Sequence, residues 1–464
     1  MSYSFPRRRA IPSAIVLALH ATCLLGQAVT ASDDSVVRRL IQERIETRRN
    51  VGIVAGLIDS TGRRRVYASG TARGPGSAPV DANTVFEIGS ITKTFTAAIL
   101  ADMALHGDVS LDDPVSRYLP SSVRLKPNGR EITLLDVATQ SSGLPAIPTN
   151  FRPASPDDPY ADYGTPQLHA FLAGYAPPHP PAELYAYSNL GFGILGNLLS
   201  AHAGVPYETL VARRVLDPLG MTDTRIVLSA DMRRRLATCH DRDGDEVANW
   251  NFDALAGAGA LRSTVNDMMK YLAANLDSTS RPLGVVLRDA QRPRRPTTIP
   301  NTRIGLAWHV LSAFGSDIVW HNGETGGYHS FIGFDPARRV GVVILSNSAT
   351  SIDDLGFHLV DARIPLRPPP SPPIEIAQDT AMIEQYVGAY ELAPGTRMNA
   401  TRVGSKLYIR LTGQQRFRVF PSTDTTYYLT TIDAQLTFHH DGRGRIAEVV
   451  LHQGGRDMVA KRLQ

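Results

Sequence analysis

Near its C-terminal end the chain carries a run that neither helix nor sheet can cross. Arg363–Pro373 reads Arg-Ile-Pro-Leu-Arg-Pro-Pro-Pro-Ser-Pro-Pro. Each proline fixes φ and removes an amide donor, so two units must lie on either side of a stiff spacer. Beyond it, Thr396–Val403, Lys406–Leu411, Arg416–Phe420, Thr425–Thr430, Gln435–His439 and Ile446–Leu451 are short β-rich runs separated by Gly, Pro or Asp-Gly turns. That spacing predicts a small all-β barrel or sandwich of about 85 residues from Ile376 onward. It contains no convergent cluster of polar residues of the kind a catalytic site needs.

The opposite end reads as a secretion signal. Arg7–Arg9 form a basic start, Ala14–Leu25 an apolar stretch, and Val29-Thr30-Ala31 a small-residue cleavage site. The apolar stretch is shorter than the roughly 18 residues that span a bilayer. Cleavage is therefore expected rather than anchoring, with a periplasmic or secreted product and no later membrane span. Arg7–Arg9 also supply most of the formal charge of +4. A cleaved chain keeps about +1, which argues against a nucleic-acid partner held through its phosphates. Cys23 would leave with the signal, and Cys239 alone makes neither an internal disulfide nor a thiolate zinc site. At 43% hydrophobic and 20% charged residues, a disordered or collagen-like chain is excluded.

The expected organisation is thus a signal over 1–31, a main unit over 32–362, a proline-rich linker over 363–375 and a β-domain over 376–464. In the main unit, Val51–Leu57 reads as a buried strand and Arg64–Ala68 as its hairpin partner. Thr92–Leu105 has helical spacing of Phe95, Ala98, Ile99 and Leu105, and stops at Gly107. Val319–His321, His329–Phe334 and Val340–Leu345 read as strands. Strands at both ends with helices between them predict an α/β sandwich: one antiparallel sheet closed by the ends of the unit, flanked by helices, with a helical subdomain inserted.

Ser90-Ile91-Thr92-Lys93 carries the strongest chemical signal. On a helix starting at Ser90, i and i+3 place the hydroxyl and the amine on one face. The hydroxyl needs a base, and lysine serves as one only when neutral. Burial and the positive end of the helix dipole both lower its pKa. The same helix start turns the Ser90 amide toward a position where an oxyanion could form. Alone, the motif is short enough to arise by accident, as a capping serine followed by a solvated lysine. Two further elements alter that balance. Tyr187-Ser188-Asn189 offers a phenol that a nearby cation can push toward phenolate and an amide suited to gripping another amide. His321-Asn322-Gly323, followed by Glu324, closes a strand whose small residues permit close backbone approach.

In this order the three motifs resemble those of the serine β-lactamase and DD-peptidase superfamily, β-lactamase/transpeptidase-like in fold. Tyr-Ser-Asn in second place points to the class C branch. Leu111–Val115, Ile132–Asp136 through Ser142–Pro145, and Pro218–Met221 also look like that branch, so the resemblance runs from about Val51 to Asn347. The β-domain resembles the lipocalin-like domains appended to some of these hydrolases. The resemblance implies that Ser90 is the acylated nucleophile, Lys93 its base and Tyr187 the proton carrier to the leaving group. It implies that Asn189 binds the acyl-side amide and that His321 and Gly323 flank the pocket. The backbone amides of Ser90 and Glu324 would form the oxyanion hole. The third motif departs from the Lys-Thr-Gly usual in class C β-lactamases. His-x-Gly is typical of certain DD-carboxypeptidases, D-aminopeptidases and related esterases. With an ordinary pKa of about 6.5, His321 is expected to be neutral at pH 7.5 and to charge toward pH 6, strengthening recognition of a substrate carboxylate on acidification.

Other site-like features have plainer readings. Gly191-Phe192-Gly193-Ile194-Leu195-Gly196 fits a dinucleotide fingerprint by letter but follows no strand, so close helix packing is expected. Asp241-Arg242-Asp243-Gly244-Asp245 misplaces the glycine of a calcium loop and reads as a polar turn. His439-His440 lies before an Asp-Gly turn and reads as solvated, His106 and His329 have no partners at metal spacing, and no Gly-x-Ser-x-Gly elbow is present. The sequence therefore predicts an exported serine hydrolase needing neither metal nor cofactor. Its partners would be small peptides, esters or β-lactams, with peptidoglycan as the natural source of D-amino-acid peptides. An esterase or acyl transferase with the same residues is the competing enzyme, and a catalytically weak penicillin-binding sensor the competing non-enzyme.

Overall fold

The structure is a computed structural model that describes residues 34–242, 244–277, 282–367, 376, 378–393, 396–412, 416–429, 434–453 and 456–463. The signal expected over 1–31 and residues 368–375 of the linker lie outside these.

The main unit is built on an eight-stranded antiparallel sheet. In spatial order its strands are Arg64–Gly70, Gly52–Ile58, Val340–Ser346, His329–Asp335, Ser316–Glu324, His309–Ala313, Thr302–Ile304 and Arg295–Pro296. The expected closure by the two ends is present, since Ile53 pairs with Ser346 and Ile58 with Gly341. Gly52–Ile58 is buried along its whole length, as a strand covered on both faces must be. On one face Asp34–Glu46 and Asp353–Val360 cover Ile53, Ala55, Phe331 and Ile344. The other face packs on the larger core, which includes Thr92–Leu105, Val265–Leu276 and Pro282–Gln291. Thr92–Leu105 is buried from Thr92 through Met103, an all-round burial that marks a central helix. Among the described residues no helix is long and apolar enough to cross a membrane.

The C-terminal unit is a closed up-and-down barrel of eight strands. Six are the runs expected from the sequence. The other two, Gly388–Ala393 and Arg456–Arg462, pair through Tyr390 and Arg462 and close the barrel. Closure removes both sheet edges. Tyr390, Met398, Ile409, Val419, Leu436, Phe438 and Val449 pack together as its core.

Candidate active site

The nucleophile motif sits on a bend between two helical forms. A 3-10 turn, Gly89–Ile91, runs directly into Thr92–Leu105. Ser90 is half-buried while Lys93 is fully buried. Lys93 Nζ lies 2.8 Å from Ser90 Oγ, 2.8 Å from Asn189 Oδ1 and 2.7 Å from the Ala258 carbonyl oxygen. Burial pushes the lysine well below its ordinary pKa. A neutral amine has two N–H bonds and one lone pair. Asn189 Oδ1 and Ala258 O accept only, so they take the two N–H bonds, and the lone pair is left for the Ser90 hydroxyl proton. An amine so placed can act chemically as a general base toward the hydroxyl.

The Tyr-Ser-Asn motif is held by its own helix start. Ser188 caps Asn189–Ala203, its Oγ accepting from Gly191 N–H at 2.8 Å and donating to Pro145 O at 2.6 Å. Gln140, at φ +56°, accepts from Ser188 N–H through Oε1 at 2.8 Å and from Ala186 N–H through its carbonyl at 2.7 Å. These bonds present Tyr187 and Asn189 to Lys93, whose Nζ is 4.9 Å from the Tyr187 ring centroid. The Tyr187 phenol end is buried and hydrogen-bonded to Ser90, and burial pushes its pKa up. The phenolate anticipated beside a cation is therefore opposed, because burial favours the neutral phenol.

The third motif lies where the sheet loses a neighbour. Pairing with His309–Ala313 stops at Trp320, so His321–Glu324 is held only on its other edge, by His329–Ile332. The free edge meets the nucleophile turn. A Cβ on Gly323 would fall 2.0 Å from Ile88 O, and one on Gly89, at φ +48°, 2.9 Å from Glu324 N. Only glycine fits at either position. Ser330 Oγ donates to Ile88 O at 2.8 Å, tying the turn to the sheet.

His321 requires a correction. It is 1% exposed, and burial, then His309 and Lys93, hold its pKa well below the ordinary value. Its Nδ1 bonds to Asn322 O at 2.6 Å, and Nε2 is buried without a partner among the described residues. The expected gain of a proton toward pH 6 fails because a buried imidazolium beside two other bases is too poorly solvated.

The structure brings Ser90, Lys93, Tyr187, Asn189, His321, Gly323 and Glu324 to one junction between sheet and helices. Several neighbours had no signal in the sequence. Tyr160 OH accepts from Asn189 Nδ2 at 3.5 Å, and its ring stacks on Phe252 with centroids 4.7 Å apart. His309 lies 5.4 Å from His321, ring to ring, and bonds to Tyr185 OH at 2.8 Å. The Ala258 carbonyl belongs to a short helix, Ala256–Gly259, that no periodicity marks. The glycines of the apparent dinucleotide fingerprint serve packing: a Cβ on Gly196 would meet Gly257 Cα at 2.9 Å. No cluster of metal-ligating side chains occurs among the described residues.

A hydroxyl, a buried lysine and a phenol gathered at the junction of an antiparallel sheet and a helical insertion define a serine hydrolase. The chain matches the Beta-lactamase family over residues 37–362 and belongs to it. Residues 372–462 match a domain of unknown function (DUF3471). D-alanyl-D-alanine-carboxypeptidase/endopeptidase AmpH of Escherichia coli (strain K12) is 28% identical over 371 residues, covering 75% of this chain and 94% of its own. A crystal structure of a class C beta lactamase superposes with a TM-score of 0.62 at 26% identity, covering 70% of this chain and 95% of that one. An octameric penicillin-binding protein homologue from Pyrococcus abyssi, 21% identical, shares the fold over 92% of this chain and 100% of its own, with a TM-score of 0.64.

Proposed function

We propose that the protein is exported and hydrolyses acyl compounds through an acyl-enzyme on Ser90, with peptides carrying D-amino acids as its main substrates. Lys93 takes the Ser90 proton as Oγ attacks the substrate carbonyl. The Ser90 and Glu324 amides receive the developing oxyanion. Tyr187 passes a proton to the leaving group, which departs, and Asn189 holds the acyl-side amide. Water then attacks the ester, and the same groups return the proton to Ser90 Oγ. The observation that carries this reading is the Lys93 environment, in which two pure acceptors fix the amine and leave its lone pair for Ser90.

The relatives named above leave DD-peptidase and β-lactamase action both open, and the neutral His321 favours one refinement. Without a cation at the third motif, the leaving side of the substrate is read by hydrogen bonds rather than by charge. Esters and amides of D-amino acids should therefore be accepted alongside free acids, which gives the esterase reading its support. The test is kcat/KM for matched D-alanyl substrates with an acid, an amide or an ester on the leaving side, together with a penicillin. Turnover of at least one D-substrate, with none of its L-isomer, is expected. Activity confined to L-peptides would defeat the proposal.

A further inference from the structure

Leu407 and Ile409 pack into the barrel core, so strand alternation turns Lys406 and Tyr408 outward. Tyr408 is nevertheless only 1% exposed. What meets it is the acidic turn of the main unit. Lys406 Nζ donates to one oxygen of the Asp245 carboxylate and Tyr408 OH to the other. Arg416 stacks on the Tyr408 ring, 4.2 Å from its centroid. Three residues before Asp245, Arg242 Nη2 reaches Glu324 Oε1 at 2.7 Å. The turn joining these contacts is tied to itself, with Asp241 N–H on Asp245 O at 2.8 Å and Asp245 N–H on Asp241 Oδ1 at 2.9 Å. At its root His240 N–H is shared between Gly327 O at 3.1 Å and Asn347 O at 3.0 Å.

This path ends at the part of the sheet most in need of support. Glu324 ends a strand whose last four residues are paired on one edge only, and its backbone abuts Gly89, next to the nucleophile. The Arg242–Glu324 pair is itself substantially exposed, at 38% and 48%. An ion pair of that kind holds little unless one partner is already ordered, and the anchored turn orders Arg242. We propose that Lys406 and Tyr408 of the barrel, acting through Asp245 and Arg242, are positioning residues that hold the Glu324 end of its strand against the Ser90 turn. The catalytic consequence rests on the proposed role of the Glu324 amide at the oxyanion. The structural consequence does not.

Amide hydrogen exchange of the full chain separates the two. In Lys406→Ala/Tyr408→Phe, and equally in Arg242→Ala, a peptide covering 321–328 should exchange at least about fivefold faster, while the helix Thr92–Leu105 keeps its wild-type rate. Asp245→Asn, which keeps shape and leaves the barrel sequence untouched, should behave likewise and guards against a barrel variant that fails to fold. In turnover, kcat should fall about tenfold with KM within twofold, as expected for a donor that acts in the transition state. Combining Arg242→Ala with the barrel changes should add no further loss, because all act along one path. Wild-type exchange at 321–328 in the Asp245→Asn and Arg242→Ala variants would overturn the proposal, as would kcat losses that multiply. A wild-type enzyme that never acylates would refute the proposed function yet leave the exchange result to decide this one.

Discussion

Lys93 and Tyr187 share the Ser90 hydroxyl, so their contributions should not separate. Each alone, as Lys93→Ala or Tyr187→Phe, is expected to lose roughly 10²–10⁴-fold in kcat/KM, the usual range for a positioned acid or base. The double variant should be little worse than the poorer single, because neither proton transfer proceeds without the other. Losses that multiply would assign them independent tasks. His321 gives a second test at this scale. Its pKa is held well below the ordinary value by burial, so its charge should not change between pH 5.5 and 8.5. The ratio of kcat/KM for a D-peptide acid over its amide should stay flat across that range while the substrate carboxylate is ionised. A ratio in the wild type that climbs as pH falls toward 6 would show that the imidazole does charge.

At the scale of elements, what could be read from the sequence was local. Thr92–Leu105 matches its helical periodicity residue for residue, and Thr396–Val403 and Lys406–Leu411 match their strand runs. The barrel-closing strands carry little local signal because what defines them is pairing: Gly388–Ala393 finds Arg456–Arg462 across the whole domain, and neither has a turn signal at both ends. The site divided in the same way. Motif residues were visible as letters at fixed spacing, whereas Tyr160, His309 and the Ala258 carbonyl reach the site only through tertiary packing. Gly323 shows where the two levels meet, since the letter was visible and its reason was not. Gly323→Ala would place a methyl 2.0 Å from Ile88 O, and neither backbone can retreat easily. We expect a loss of about 1–3 kcal/mol in stability, the usual cost of overpacking. Shifting the strand from Ser90 should also slow acylation by about 10²-fold. A variant with normal acylation and a normal melting curve would mean that the turn and the strand are not in contact.

At the scale of the whole molecule, buried histidines set the acid limit. Burial lowers His309 and His329 to about 4, below the roughly 6.5 of an unfolded histidine. As pH falls through 6.5 the unfolded chain gains protons that the folded chain refuses, so stability drops until about pH 4. Asp353 works the other way. Burial raises it to about 6, so protonation below 6 favours the folded form. Burial raises Glu87 in the same sense, but the histidines, with His321 shifted in their direction, act together with Asp136, Asp335 and Asp361, whose hydrogen bonds and ion pairs hold them low and whose stabilisation is lost on acidification. Thermal melts from pH 8 to 4 should show a plateau above 7 and a decline beginning near 6.5. A melting temperature that rises between pH 6 and 4 would place the histidines in solvent.

The central claim, that two fixed acceptors turn Lys93 into the base for a nucleophilic Ser90, is tested most directly by mass spectrometry of the acylated protein. Wild type and Ser90→Ala are incubated with a penicillin and with a D-alanyl ester, quenched in acid, digested and mapped. One added acyl group is expected on the peptide containing Ser90, and on Ser90 itself after fragmentation. Ser90→Ala should show none while retaining its fold, because the Ser90 side chain caps neither the 3-10 turn nor the helix after it and its hydroxyl meets Lys93 and Tyr187 of the site. An adduct of equal yield in Ser90→Ala, or one on any other side chain of the wild type, would contradict the account.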